Sequence, residues 1–501
     1  MHYLKHLRIV SFLTVILISP FLVLAQVDTG RQKQGRGELK TAVSSPQITK
    51  GAPYPPAKPL DRTPNIDIKP QYIPTGKLVG DMKPANNAFK ILDGRKKFRP
   101  NPQLQSLSFK DYREQDNSIP TASGCCPEMS VSENGQTIMT TGNTWMSLST
   151  NGGANFISVN PSTIFPQVDG GFCCDQVVHY IPKFDIFVWL LQYWSNDKNK
   201  NRIRIAAQNT AEVRSSNGTS WTYWDFPSDV FSTTGSLDYS DVAWGNESLW
   251  WACQNDKGRV VSRIPLKELA AKSTVHYSFT AGTDALWSHV TQNATNRVFW
   301  AGHVSNSEMR VYDMKDGDGF YSWRSVTINS WPNGTNTSKC PDGADWLTPF
   351  EDWKHYVFGN TLQRERVWFS WVAAPGGGFP QSHVQMVKIN PSTWTKEEQV
   401  QIWNPDFAFM DAYLSTNNQQ EIGMEVAFGG GVYYPSSAVG VWGDFVVYYP
   451  RLSTRCVTRW GDYNHSRRCT ANGADWIAGG YTNESNASGN IVIPHYIRFG
   501  R

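Results

Sequence analysis

Seven times along the chain, a short aromatic or β-branched run meets an Asn, Gly or Asp turn and then a second such run. The clearest copy spans residues 170–194, where Val177 to Tyr180 and Ile186 to Tyr193 flank Pro182-Lys183-Phe184-Asp185 and read as a hairpin. Other copies open near 125, 239, 287, 353, 411 and 460. Turns are expected at Glu133-Asn134-Gly135, Gly245-Asn246, Asn293 to Asn296, Gly359-Asn360 and Asn417-Asn418. The openings lie about 56 residues apart, a length suited to four short strands with their loops. A fixed period of this size predicts an all-β chain folded as a β-propeller of six or seven four-stranded blades, with seven the natural count.

Composition fits that architecture. The 501 residues include 21 Trp, 20 Tyr and 24 Phe, and Leu266 to Lys272 is the one helical stripe. Because each added blade brings its own inter-sheet core, a propeller can hold roughly 400 residues in one domain. The propeller is assigned to residues 106–501, closed by pairing Ile491 to Phe499 with a strand from residues 106–120, which removes exposed sheet edges.

Residues 1–25 have a basic start (Lys5, Arg8), an apolar run and the small residue Ala25, the pattern of a secretory signal peptide. No later stretch approaches the roughly 18 apolar residues of a membrane span. The mature chain is therefore expected to be exported and monomeric. Residues 26–105 form a basic, proline-rich arm with 15 Lys or Arg against 6 Asp or Glu, whereas residues 106–501 carry a net charge of −7. Two readings of the arm stand: a flexible tether, or a segment whose second half (Ile66, Ile68, Tyr72, Ile73, Phe89, Ile91) lies against the acidic propeller. Dispersed basic charge beside an acidic body argues against a nucleic-acid partner.

In an exported chain, eight cysteines mean disulfides before metal. Cys125-Cys126 and Cys173-Cys174 open consecutive repeats, so they either cross-link or form vicinal bridges; Cys456 is expected to join its neighbour Cys469. Cys253 and Cys340 complete the set, and all eight are expected to be bridged. A four-thiolate metal site at the two adjacent pairs is the alternative; no other metal site and no cofactor is implied.

Ser149 to Phe156 (STNGGANF) resembles the Asp-box of sialidase-type propellers, with Asn at the acidic position, and marks a distant resemblance over residues 120–501. In that family the box is a turn staple. The resemblance implies a propeller of a superfamily that includes glycosidases, polysaccharide lyases and binding proteins without activity, and it does not choose among them. The family's sialidases use three arginines to grip a carboxylate, a Tyr–Glu nucleophile and an acid–base Asp. Here only Arg459 stands beside a repeat opening.

The innermost strand of each blade lines the channel, so residues at the repeat openings converge at one mouth. The candidates for catalysis are Asp175, Asp241, Asp411, Asp462, His289 and His355. Glu128, Arg459 and Trp460 are candidates for ligand binding. Crowded carboxylates split their pKa values, as glycoside hydrolysis requires, and a histidine supplies the base a polysaccharide lyase needs. Two loops share Gly-Ala-Asp-Trp after a cysteine, at Cys340 to Trp346 and Cys469 to Trp476. They read as turns entering strands or, on a ligand face, as loops presenting Trp346 and Trp476 to sugar rings. Two functions remain: a glycan-binding propeller that also cleaves its ligand, or a non-catalytic extracellular binding scaffold.

Overall fold

The computed structural model describes residues 32–49, 84–96, 107–115, 129–231, 235–348, 356–457, 460–461, 463–486 and 489–501. Its strands form seven antiparallel blades at 130–159, 172–227, 238–279, 288–327, 359–402, 408–449 and 465–500. The sixth and seventh blades share one residue pair, Ser436 with Thr482, and are otherwise separate. The inner segment of the fourth blade is irregular, held where the Thr291 N–H donates to the Phe299 carbonyl (2.9 Å). The chain is thus a seven-bladed β-propeller, and every repeat read from the sequence has become a blade.

Alternation explains the blade cores. Along Ile186–Tyr193 every side chain is buried, because each face packs on a neighbouring blade: Val188 and Leu190 on one side, Phe187, Trp189 and Leu191 on the other. The hairpin turn at Pro182–Phe184 is a 3-10 turn ended by Asp185 in the left-handed region (φ +48°). In the fifth blade the expected turn at Gly359-Asn360 is displaced. Those residues begin the strand Gly359–Gln363, and the turn falls at Arg364 and Glu365, both with positive φ. Gly359 is needed in the strand because a Cβ there would strike the Ala412 carbonyl of the next blade.

The arm is no tether where it is described. Gln34–Glu38 pairs with Phe320–Thr327 of the fourth blade, Lys40–Ser44 with Val275–Phe279 of the third, and Gln47–Ile48 with Thr222–Pro227 of the second. The chain therefore runs backwards round the rim, adding an outer strand to three successive blades and covering their edges. Gly35 and Gly37 alternate in the first of these strands because Trp323 and Tyr321 occupy the space a Cβ would need. Further on, Lys90–Asp93 pairs in parallel with Val446–Tyr449. Phe89 is buried and Ile91 packs beside it in the core of the sixth blade. Ile66, Ile68, Tyr72 and Ile73, like the signal-like segment, lie outside the described residues.

Closure follows expectation. Ser108–Glu114 is the outer strand of the seventh blade, paired with Gly489–Gly500 from His495↔Glu114 to Gly500↔Ser108. In the turn at 149–156, Ser149 donates to Asn151 Oδ1 (2.9 Å), Gly153 N–H donates to Ser149 Oγ (2.9 Å) and Asn155 N–H to Asn151 Oδ1 (3.0 Å). The side chains thus tie the turn to itself while Phe156 packs inward.

The cysteine pairing differs from expectation. Cys173 and Cys174 form a vicinal disulfide, one of the two arrangements considered, and Cys340 bonds Cys456. Cys456 is therefore not joined to Cys469, which is buried and free, as is Cys253. Closeness in sequence misled because Cys469 points into the core formed by Val131, Ile138 and Tyr496. Cys125 and Cys126 lie outside the described residues.

Candidate functional site

Strand alternation places residues two apart on the channel side, and the result is two stacked tiers. The first, nearer the strand starts, holds Tyr239, Trp287, Tyr356 and Tyr463 from four blades. Tyr239 lies 5.6 Å from Trp287, 5.7 Å from Tyr356 and 5.4 Å from Tyr463 between ring centroids, and Trp287 stacks on Tyr356 at 5.3 Å. The second tier, two residues further along each strand, holds Asp241, His289, Phe358 and His465, joined by Tyr413. The channel is therefore a filled hub.

Bulges set these positions. Register shifts interrupt the pairing after Phe172, Asp238 and Met410, and Tyr239, Trp287 and Asp411 adopt positive φ (53°, 57° and 52°). Such bulges re-aim the side chains at the start of an inner strand.

Asp175 sits at the level of the first tier, where its Oδ2 accepts a hydrogen bond from the Tyr463 hydroxyl (3.1 Å). Close by, Gln192 donates to Asp238 Oδ1 (2.6 Å) and lies 3.7 Å from the Cys174 sulfur. Asp175 is 6% exposed, Trp287 8% and Tyr356 6%.

Asp241 and His289 do not face an open mouth, contrary to expectation. Both belong to the lower tier and are buried, with Asp241 Oδ2 accepting the Val290 N–H (2.9 Å) and lying 3.9 Å from His289 Nδ1. Burial pushes the Asp241 carboxyl up to about 6, against the pull of the Val290 N–H and the Arg467 guanidinium. Burial likewise holds the His289 and His465 imidazoles well below their ordinary range, with Arg467 adding to the effect. Asp411 is also buried rather than presented to solvent; it lies beside Glu425, whose carboxyl is pushed well upward by burial and by that neighbouring charge.

The tryptophans are core residues. Trp346 is fully buried edge-on to Trp460, Trp460 stacks on Tyr481 at 4.2 Å, and Trp476 donates to the Ser415 carbonyl while stacking on Phe499. None offers a face to a sugar ring. The two Gly-Ala-Asp-Trp turns are structural: Asp345 accepts the backbone N–H groups of Ser338, Leu347 and Thr348, and Asp475 binds Arg498. Glu128, His355, Arg459 and Asp462 lie outside the described residues.

Sequence reasoning missed Tyr463, His465 and Arg467. They follow one another at the two-residue spacing of a channel-facing strand, and that alternation after Gly461 was the available signal. Arg467 is buried, donating to the Val131 carbonyl (3.0 Å) and Gln292 Oε1 (2.8 Å), with its pKa lowered by burial to about 9. The other buried arginines are engaged too, Arg204 by Asp225 and Arg259 by the Tyr239 carbonyl.

Fold and hub together define a β-propeller whose channel is closed by aromatic rings over a buried ionisable cluster. No family model and no curated protein matches this sequence. Among solved structures the chain is similar to the BP39L lectin from Burkholderia pseudomallei (10% identity, 74% of this chain and 96% of that one, TM-score 0.40). It is also similar to the NanB sialidase from Streptococcus pneumoniae (9%, 68% and 71%, TM-score 0.37). A third similar structure is a subtype N10 neuraminidase-like protein of A/little yellow-shouldered bat/Guatemala/060/2010 (12%, 64% and 96%, TM-score 0.34). The propeller assignment rests on the seven sheets of the chain itself.

Proposed function

We propose that this protein is an exported glycan-binding propeller whose ligand seats at the channel mouth. The observation that carries the reading is the aromatic closure of the channel, where Trp287 (8% exposed) and Tyr356 (6%) pack with the more deeply buried Tyr239 and Tyr463, with Asp175 and Asp238 beside them. Sugar rings pair apolar C–H faces with hydroxyl edges, so aromatic faces flanked by carboxylate acceptors suit them. Export is inferred from the signal-like residues 1–25 and from the bridges Cys173–Cys174 and Cys340–Cys456, which belong in an oxidising compartment. Screening the mature chain on a glycan array tests the reading. Binding that falls at least about tenfold in Asp238→Asn with an unchanged melt, or per folded molecule in Asp175→Asn, supports it; an array with no bound glycan, or binding indifferent to both substitutions, refutes it.

A second reading, cleavage, is favoured by the hydrogen bond from Tyr463 to Asp175. In such a pair the carboxylate takes the phenol proton as the phenolate oxygen attacks the anomeric carbon, the glycosidic C–O bond breaks and the aglycone leaves as its oxyanion, protonated by water; water then hydrolyses the glycosyl–tyrosine bond. Complete burial of Tyr463 places binding ahead of cleavage. Turnover of a panel of aryl glycosides, lost in Tyr463→Phe, is the outcome that would reverse that order.

A further inference from the structure

Three side chains from the third, fourth and seventh blades converge in the lower tier with free valences. One ligand atom each from Asp241, His289 and His465 lies within 4.8 Å of the others, and all three residues are buried. Asp241 Oδ1, His289 Nε2 and both nitrogens of His465 have no hydrogen-bond partner among the described residues. Buried polar atoms left unpaired are costly, about 1–3 kcal/mol each in general, and several facing one point call for an occupant. Beside them is a cavity of about 10 Å³, lined by His289, His465, Gln292, Asn360 and Ser466, with room for roughly one water. The Asn360 carboxamide oxygen is also unpaired there.

We propose that Asp241, His289 and His465 bind a divalent transition-metal ion of the zinc class, with a water or hydroxide in the adjoining cavity as the fourth ligand. Two imidazoles and one carboxylate suit a borderline ion such as Zn²⁺ or Co²⁺ and give Mg²⁺ or Ca²⁺, which favour oxygen ligands, too few oxygens. The histidines are already held neutral, the form a metal requires. Tetrahedral coordination at about 2.0–2.2 Å brings ligand atoms to about 3.5 Å of one another, so binding draws the three together by small side-chain rotations. Arg467 acts on both histidines and Arg259 on His289. This neighbouring positive charge favours hydroxide over water as the fourth ligand. Ligands from three blades on different sides of the channel make the ion a clasp at the axis, and burial makes folding the moment of its capture.

The test uses the full mature chain, with any affinity tag removed, produced in medium supplemented with Zn²⁺ or Co²⁺ and dialysed against chelator-free buffer. We expect one equivalent of metal per chain, a cobalt form with the visible d–d bands of four-coordinate nitrogen and oxygen ligation, and a melting temperature above that of protein refolded with chelator. His289→Gln and His465→Gln each lose the bound metal. Cys253→Ser with Cys469→Ser keeps it, which separates this site from the buried thiols. Less than about a tenth of an equivalent in the wild type, or full retention in His465→Gln, overturns the proposal. Should the histidine variants not fold, X-ray absorption of the cobalt-loaded wild type decides: imidazole scattering supports the site, and sulfur ligation overturns it.

Discussion

Across the channel, Tyr463 donates its hydroxyl hydrogen to Asp175 at 3.1 Å, joining the seventh blade to the second although 288 residues separate them. Since the ring of blades is closed only when such pairs form, the bond reports closure as well as the site. Tyr463→Phe and Asp175→Asn should each cost about 1 kcal/mol in urea unfolding, with a coupling of similar size in the double variant. Strict additivity would mean that the two groups do not interact in solution.

Acid should destabilise the fold from below about pH 6.5. His179, His289, His383, His465 and His495 are all held below their ordinary pKa by burial, His383 and His495 to about 3. As pH falls through the unfolded value near 6.5, the unfolded chain takes up protons that the native chain refuses, so stability is lost. Glu425, whose carboxyl is raised, acts in the opposite sense: native protonation stabilises as pH falls toward its unfolded value near 4. Five groups outweigh one. The melting temperature should decline steadily from pH 7 to 5, and His465→Asn should flatten the slope by about one proton, or 1.4 kcal/mol per pH unit. A profile flat between pH 5 and 7 would contradict this account.

The outer strand Gln34–Glu38 is locked by its glycines. Gly35→Val sets a branched side chain against the Trp323 indole, so the strand should lift from the fourth blade while the seven blades stay folded. Limited proteolysis should then cut within residues 32–49 at least about ten times faster than in the wild type, with the melting temperature lower by a few degrees. Equal proteolysis rates would show that the rim pairing is not rate-determining for access.

Burial pushes the thiols of Cys253 and Cys469 up to about 12, so neither forms a thiolate at neutral pH. Iodoacetamide should leave both unlabelled in the native protein and label both after unfolding without reductant, as read by peptide mass spectrometry. Labelling of neither in the unfolded chain would show that they are bridged.

The seven blades were legible because their sequences carry a two-residue apolar rhythm and Asn, Gly or Asp turns, signals that act locally, although at the fifth blade Gly359-Asn360 looked like the turn and in fact begins the strand. The pairing of Ile491 to Phe499 was legible for the same reason, since a strongly β-forming end needs a partner. The arm strands were not. Gln34-Gly35-Arg36-Gly37-Glu38 has no apolar face, and what makes it a strand is the bare edge and aromatic rings of Phe320–Thr327, far away in sequence. At the hub, the repeat alignment found the right strands but mixed two levels: Asp175 stands with the aromatic floor, whereas Asp241 and His289 lie beneath it. Bulges after Phe172, Asp238 and Met410 shift which residues look inward, and nothing in a periodic pattern announces a bulge. The fully buried Trp346 and Trp476 read as sugar platforms because an aromatic after a turn looks the same in sequence on either side of a sheet.

The rim strands also set an order of events during synthesis. Gly37 is translated long before Tyr321, the residue it sits on, and Lys40–Ser44 likewise emerges well ahead of Val275–Phe279. Gln47–Ile48 gains its partner Thr222–Pro227 first, Lys40–Ser44 gains Val275–Phe279 next and Gln34–Glu38 gains Phe320–Thr327 last, so the arm docks strand by strand from its C-terminal end as the blades are made. Until its own arm strand docks, each of these blades shows an open edge to any other strand in reach. A chain lacking the arm would keep those edges bare, so crowding during production should show its loss as aggregation before any loss of the folded state is measurable.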